Sequence, residues 1–156
     1  QYKSDFEFLK SNYLDEQYKA GLTYLDADNF DKAEAVFNEI EQINPNYKDI
    51  KDLKKIAYIE PFYRTGKSNL ENGNYRSSYA QFTEVISVDP NYKDAVELKN
   101  EALKKGLITI GVINFENGTP IPNANKKVEA FVMDALNNSN DPFLKVIDRS
   151  NYAQII

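Results

Sequence analysis

The side chains that could do chemistry in this 156-residue chain are carboxylates, lysines and tyrosines, because it contains no His, no Cys and no Trp. Without His and Cys there is no His-assisted nucleophile, no thiol chemistry and no usual set of zinc ligands. Catalysis would need a carboxylate pair, a lysine, a tyrosine or a metal held by oxygen atoms, and no spacing marks one. We therefore predict no catalytic residue, no metal site and no cofactor.

Two patterns come closest to a site, and each has a simpler structural interpretation. The loop from Glu116 to Pro122 has one Gly and lacks the Lys that a phosphate-binding loop requires, so it is predicted to be an ordinary loop. Asp148 and Arg149 could form a buried ion pair or a catalytic acid with its cation. A helix-capping Asp beside a surface Arg is the preferred interpretation.

Composition and charge limit the class of protein. The chain has 19 Lys and Arg against 24 Asp and Glu, a net charge of −5, and 42% hydrophobic residues. This balance is typical of a soluble globular protein, and its acidity argues against a nucleic-acid partner. No window approaches the ~20 apolar residues of a membrane-spanning helix. Because the chain begins at Gln1 and ends on the apolar Ile156, we expect it to be a fragment of a longer protein.

A repeat of 45 residues organises the first two thirds of the chain. The segment NPNYKD at 44–49 returns as DPNYKD at 89–94, and the same offset pairs Gly21 with Gly66. Each unit carries an apolar stripe at three- and four-residue steps. The stripes are Phe30, Ala33, Phe37 and Ile40, and then Tyr75, Ser78, Phe82 and Val85. Each unit is therefore predicted to form two helices joined by a tight turn.

These residues resemble the tetratricopeptide (TPR) signature, in which small residues let two antiparallel helices approach closely. The matching positions are Gly21, Tyr24, Phe30, Ala33, Phe37 and Pro45, and then Phe62, Gly66, Tyr75, Ser78, Phe82 and Pro90. The period is longer than the usual ~34 residues. The additional residues, 2–12 and 47–57, are predicted to extend each first helix, and Pro61 should kink or restart the second of them.

After Gly106 the pattern changes from helical to mixed. The apolar run from Leu107 to Phe115 predicts a buried strand, and 143–147 predicts a second. Between them lies a helical stripe, and a further helix is predicted from Tyr152. The stripe is Val128, Phe131, Val132, Ala135 and Leu136. This order implies a parallel pair with a right-handed crossover, whose faces would need further strands, the helical domain or another copy to cover them.

The second half also resembles a known group. The run Ile110 to Phe115, the helix after it, and a strand that ends in Asp148-Arg149 are similar to the opening of the CsgG-type envelope domain. That group includes the curli secretion lipoprotein, activator lipoproteins of peptidoglycan synthases and a similar TolB-like N-terminal domain. The resemblance implies a bacterial protein of the periplasm or outer membrane, often anchored by a lipid on an upstream cysteine.

The predicted fold is therefore mostly α. A TPR-type array of antiparallel helices, an α-α superhelix, is expected over 1–106, with units at about 2–46 and 47–91 and a closing helix at 92–105. A small and incomplete α/β segment, the start of a CsgG-like domain, is expected over 107–156.

The TPR resemblance implies a groove, lined by the first helices, that binds a peptide or protein. The corresponding positions are Asp15, Tyr18, Leu22, Leu25 and Asp26, and then Glu60, Tyr63, Lys67, Leu70 and Glu71. Their mixture of Tyr, Leu and acidic residues suits a partner with basic and apolar character. The alternative is that Tyr18 and Tyr63 pack against neighbouring helices and bind nothing.

The sequence favours a non-enzymatic interaction or scaffold protein of the bacterial cell envelope, which docks a protein on its groove or its α/β domain. Two alternatives stay open. One is a regulatory or substrate-holding module of an enzyme whose catalytic part lies outside this chain. The other is an oligomerisation module in which the unfinished sheet pairs between copies.

Overall fold

The computed structural model describes residues 2–113 and 115–147 of the chain. Its elements are α1 (Tyr2–Asp26), α2 (Phe30–Ile43), α3 (Ile50–Glu71), α4 (Tyr75–Val88), α5 (Ala95–Gly106), β1 (Ile108–Gly111), α6 (Ala124–Asn137) and β2 (Leu144–Ile147). The predicted mostly α fold with a small α/β segment is confirmed. The predicted cap at 148–150 and the helix from Tyr152 lie outside the described residues.

The chain divides into two compact units, 1–99 and 100–156, and the division falls inside α5. The boundary predicted from the sequence, Gly106, is the last residue of the same helix. The first unit contains α1 to α4 and the start of α5, and the second contains the remaining elements. In the described ranges, no helix has both the length and the apolar content that crossing a membrane requires.

Two hydrophobic clusters hold the helices of the first unit together, one for each repeat. The first consists of Leu14, Ala33, Phe37, Ile40, Ile50 and Ala57. The second consists of Tyr63, Phe82, Val85 and Ala95. The predicted stripes of α2 and α4 supply the centre of each cluster, so the three- and four-residue spacing predicted the packing faces. The start of α5 contributes Ala95, which is fully buried.

Close contact within each helix pair depends on a glycine. A Cβ atom on Gly21 would lie 2.5 Å from Cε1 of Phe37, and one on Gly66 would lie 2.9 Å from Cε1 of Phe82. Because the rings of Phe37 and Phe82 are fully buried, the surrounding core leaves them little room to move. Only glycine therefore lets α1 reach α2, and α3 reach α4, at this distance.

The second helices end where the sequence predicted, at the prolines: α2 and α4 each stop two residues before the proline, and one non-helical residue lies between. Asn44 is extended, with φ −148° and ψ 96°, and Asp89 takes nearly the same conformation. The ring of a proline disfavours the helical conformation for the residue before it, which explains both ends. After each proline, Lys48 and Lys93 adopt the left-handed conformation with the same φ of 45°. The two turns are therefore copies of one another.

Two predictions about first helices are wrong. The second begins at Ile50 and not at Tyr47, because residues 47–49 form the turn, and the helix after the second turn likewise begins at Ala95. In addition, α3 continues through Pro61, so the helix does not restart there, and the kink that was the other predicted outcome stays a prediction. Residues on both sides of the proline, Ile59 and Tyr63, are buried, and this packing offsets the loss of one backbone hydrogen bond.

The second unit contains the predicted parallel pair. β1 and β2 are aligned with Ile108 beside Leu144 and Gly111 beside Ile147. The prediction of a buried strand over 107–115 is wrong, since β1 spans four residues and only Ile110 is partly buried. A ladder cannot extend beyond its four-residue partner, and the faces of a two-stranded sheet stay exposed where no other element packs on them.

The helix of this unit forms as predicted but buries little. α6 has no fully buried residue, and of its predicted stripe only Val132 and Leu136 are half-buried. Phe131 and Val128 are exposed. The helical spacing therefore predicted the element correctly but not how far its apolar face is covered.

The hydroxyl of Ser78 makes a buried hydrogen bond that the first repeat lacks, and its effect on stability can be measured. Ser78 is fully buried, and its Oγ donates a 2.8 Å hydrogen bond to the backbone carbonyl of Gly66. Ala33 occupies the equivalent position of the first repeat. We expect Ser78→Ala to lower the free energy of unfolding by about 1 kcal/mol, measured by urea denaturation. The exposed neighbour Ser77→Ala is the control and should change nothing. An unchanged midpoint for Ser78→Ala would contradict the prediction.

Candidate functional site

The predicted groove positions lie on α1 and α3, the first helices of the two repeats. Their side chains differ in accessibility. Those that are exposed are Asp26, Lys67 and Glu71, and those that are half-buried are Tyr18, Leu22, Leu25 and Leu70. The remaining predicted positions, Asp15, Glu60 and Tyr63, take part in internal hydrogen bonds, and so does Tyr18.

A first polar cluster fastens the turn at 47–49 to α1. Asp15 accepts hydrogen bonds from the Tyr47 hydroxyl at 2.5 Å and from the Lys48 ammonium at 2.6 Å. One turn along α1, the Tyr18 hydroxyl donates to Asp49 at 2.7 Å. The Lys48 ammonium also lies 4.3 Å from the centre of the Tyr18 ring, within the range of a cation–π contact.

A second polar cluster repeats this arrangement 45 residues later and fastens the turn before α5 to α3. Glu60 accepts hydrogen bonds from the Tyr92 hydroxyl and from the Lys93 ammonium, the latter at 2.6 Å. The Tyr63 hydroxyl donates to Asp94, and the Lys93 ammonium lies 4.6 Å from the Tyr63 ring centre. The rings of Tyr63 and Tyr92 meet edge to face at 5.7 Å.

The second polar cluster is larger and more buried than the first. The side chain of Glu60 is 10% exposed, whereas that of Asp15 is 43% exposed. Glu60 also accepts a hydrogen bond from Arg64 Nε at 3.0 Å. Arg64 reaches onward through Nη1 to Asp28, at 2.6 Å, and so connects α3 to the turn between α1 and α2.

These contacts shift the pKa values of the cluster. Burial alone would raise the pKa of Glu60, but its hydrogen bonds from Lys93, Tyr92 and Arg64 together hold that pKa below its ordinary value. Burial and the hydrogen bond to Asp94 raise the pKa of Tyr63 to about 12. Burial and the hydrogen bond to Glu60 likewise raise the pKa of Tyr92. Glu60 is therefore ionised, and Tyr63 and Tyr92 are protonated, at neutral pH.

The turn between α1 and α2 has a residue that the sequence analysis missed. Asp28 holds a left-handed conformation, with φ 57°, at the position where the second repeat has Gly73 with φ 77°. A non-glycine residue is uncommon there, although Asp tolerates it better than most. The carboxylate of Asp28 forms an ion pair with Arg64, which a glycine at this strained position of the first repeat could not form.

The repeated Tyr-Lys-Asp motif was the sequence signal for both polar clusters. From the sequence alone this motif predicted the start of a helix, because a motif does not show which residues it contacts some 32 positions earlier. The structure gives Tyr18 and Tyr63 internal hydrogen bonds, as the packing alternative expected. Their contact with a partner stays a prediction.

A cavity of about 420 Å³ opens on the first unit between α2, α3 and α4. Its walls are formed by Glu34, Glu41, Lys51, Lys54, Lys55, Tyr58 and Val88. Two of its three lysines make ion pairs, Lys54 with Glu41 at 2.6 Å and Lys55 with Asp89 at 3.0 Å. The described residues contain no group of three or more acidic side chains placed to hold a metal ion.

Comparisons of the chain with protein-family models, with curated proteins and with solved structures give no match. The TPR and CsgG-type resemblances therefore rest on the residues quoted from the sequence. The interpretation of the surfaces rests on the geometry of the chain itself.

Proposed function

We propose that this protein is a non-enzymatic docking scaffold that binds a peptide or protein partner along α1 and α3. The observation that carries the proposal is the repetition of the polar cluster. Asp15 fixes the turn before α3, and Glu60 fixes the turn before α5, through the same types of residue at the same offset. The first helices are thereby held in a fixed register, so their accessible side chains recur at a constant separation.

The accessible side chains on these helices can bind a partner of mixed character. Asp26 and Glu71 supply exposed carboxylates, and Lys67 supplies a cation. Leu22 and Leu70 are half-buried and leave part of their apolar surface to a ligand. Such a face suits a segment with apolar anchors and basic side chains, since a rigid surface loses little conformational entropy on binding.

We further propose a location in the bacterial cell envelope, in the periplasm or at the outer membrane through a lipid anchor. The support is the CsgG-type resemblance of the second half. The strand–helix–strand order of β1, α6 and β2, with its parallel pair, is compatible with the start of such an α/β domain.

Selection from a displayed library of random peptides tests the docking proposal. We expect enrichment of peptides with basic and apolar residues, and about tenfold weaker binding to the double variant Asp26→Lys with Glu71→Lys. The control variant, Asp31→Lys with Glu97→Lys, changes the net charge equally but lies off the predicted groove. Equal loss of binding in both variants would contradict a site on α1 and α3.

The alternative function, a regulatory or substrate-holding module of an enzyme, is favoured by one observation. The cavity between α2, α3 and α4, at about 420 Å³, is within the size range of small-molecule sites. A screen of small fragments by NMR distinguishes the two functions. Shifts confined to the cavity around Tyr58 and Val88 would favour the alternative, and an empty cavity would favour docking.

A further inference from the structure

Two Asn-Gly pairs occur in the chain, Asn72-Gly73 and Asn117-Gly118. In such a pair the backbone nitrogen of the glycine can attack the side-chain amide carbon of the asparagine, because glycine has no Cβ to hinder the approach. A reaction within one chain is fast only where the two reacting atoms can come into contact. The local structure of each pair therefore decides whether it reacts.

The first pair is held by hydrogen bonds at the end of α3. The backbone N–H of Asn72 donates to the carbonyl of Ser68 at 3.0 Å. The N–H of Gly73, which carries the attacking nitrogen, donates to the carbonyl of Leu70 at 3.3 Å. This turn cannot rotate toward the side chain of Asn72 without breaking these bonds, so the folded structure protects the pair.

The second pair lies in the loop between β1 and α6, and its glycine is open. Gly118 is exposed, and no atom lies within 4 Å of the position that a Cβ would take there. Among the described residues, no acceptor is hydrogen-bonded to the N–H of Gly118. The attacking nitrogen is therefore unrestrained, in contrast to that of Gly73.

The side-chain amide of Asn117 is oriented by the same loop. Its Oδ1 accepts hydrogen bonds from the N–H of Thr119 at 3.1 Å and from Oγ1 of Thr119 at 2.9 Å, and its Nδ2 donates to the carbonyl of Ile121 at 2.9 Å. Negative charge develops on Oδ1 when a nitrogen attacks Cγ, and two donors directed at that oxygen stabilise the charge. These bonds engage the oxygen and nitrogen of the amide and not its carbon.

We infer that Asn117 is a site of spontaneous modification, at which the side-chain amide becomes a carboxylate through a cyclic imide. The nitrogen of Gly118 bonds to Cγ of Asn117, and the amide nitrogen leaves with the displaced proton as ammonia. Water then adds to one of the two imide carbonyls and opens the ring. Opening at one carbonyl gives Asp, and opening at the other gives isoaspartate, in which the main chain runs through the side-chain carbon. The steps need water and no oxidant or reductant.

The product changes the loop between β1 and α6. A carboxylate at 117 adds one negative charge and cannot donate the hydrogen bond that Nδ2 of Asn117 gives to Ile121. Ile121 lies two residues before Asn123, the N-cap of α6. Isoaspartate also lengthens the main chain by one carbon at this point. The modification therefore loosens the connection that leads into α6.

Mass spectrometry of the full folded chain, incubated in mildly alkaline buffer, tests the inference. Peptide mapping should locate the conversion of amide to carboxylate at Asn117, about tenfold or more faster than at Asn72. In heavy-oxygen water the product should gain one labelled oxygen atom, because hydrolysis opens the imide. No conversion at Asn117, or an equal rate at Asn72, would overturn the inference.

Two variants test the geometry. Gly118→Ala should leave the stability unchanged, because its Cβ meets no atom within 4 Å, yet it should slow the conversion about tenfold by hindering the nitrogen. Thr119→Val removes one donor to Oδ1 of Asn117 and should slow the conversion severalfold. A faster conversion in Thr119→Val would show that these hydrogen bonds protect Asn117, which would contradict the assigned role of Thr119.

Unfolding separates the contribution of the structure from that of the sequence. In guanidinium chloride the hydrogen bonds at the end of α3 are lost, so Asn72 and Asn117 should react at rates within about threefold of each other. If Asn72 stays at least about tenfold slower in the unfolded chain, neighbouring residues and not the fold set the difference. That result would overturn the structural basis of the inference.

Discussion

Replacing Gly21 with Ala is expected to lower the free energy of unfolding by about 2 kcal/mol. The added Cβ would lie 2.5 Å from Cε1 and 2.8 Å from Cζ of Phe37. Because Phe37 is fully buried, relieving this overlap must displace α1 or the core, at a cost of about 3 kcal/mol. The higher helix propensity of Ala recovers only about 1 kcal/mol of that cost.

Three comparisons make the Gly21 prediction specific. Gly66→Ala should cost less, because its Cβ would lie 2.9 Å from the ring of Phe82. Gly118→Ala should change nothing, because no atom lies within 4 Å of a Cβ there. Phe37→Leu removes the overlapping ring atoms, so in the Gly21→Ala background it should cost less than it does alone. Additive losses in urea denaturation would show that the two residues do not compete for space.

Replacing Glu60 with Gln is expected to lower the free energy of unfolding by about 3 kcal/mol at pH 7. Gln keeps the size of the side chain but removes the charge that Lys93 and Arg64 both contact. The side chain at this position is 10% exposed, so water replaces little of the lost interaction. The cations and the Tyr92 hydroxyl would then compete for one amide oxygen.

The effect of Glu60 should depend on pH in a defined direction. Its pKa is lower in the folded protein than in the unfolded chain, so the unfolded chain binds more protons at acidic pH. Its contribution is complete above the unfolded pKa of about 4.3 and is lost as the pH falls through the lowered folded pKa. The difference between wild type and Glu60→Gln should therefore shrink below about pH 4 in urea denaturation.

Asp15→Asn is the matched control, because Asp15 makes the corresponding hydrogen bonds in the first polar cluster. Its side chain is 43% exposed, so water screens the charge, and we expect a clearly smaller loss than for Glu60→Gln. Equal losses for the two variants would mean that burial does not set the strength of these clusters.

The periodic part of the fold could be predicted from the sequence because its determinants are local. Phe37 and Phe82 lie on apolar faces that the three- and four-residue spacing encodes, and both are fully buried. Pro45 and Pro90 end the second helices through a steric effect on the preceding residue alone. Neither inference required knowledge of distant parts of the chain.

The internal contacts of the groove positions could not be predicted from the sequence, because the contacts of a polar side chain depend on which residues face it. Glu60 and Tyr63 were predicted groove positions, with internal packing as the alternative for Tyr63, and in the structure Glu60 binds Tyr92 and Lys93, and Tyr63 binds Asp94. The acceptor and its donors are separated by 32 and 33 residues. A local sequence pattern does not encode hydrogen bonds between residues so far apart in the chain.

By itself the sequence determined the repeat, the helix pairs and their buried stripes, because apolar periodicity and the sterics of proline act within a few residues. Only the tertiary structure decided which polar groups meet. The contact of Gly21 with Phe37 sets how near α1 lies to α2. That distance in turn fixes which turn residues reach Asp15, and burial then separates the half-exposed Asp15 from the buried Glu60. Hydrogen bonds and charges depend on such distances and on exposure to water, which exist only once the helices are packed.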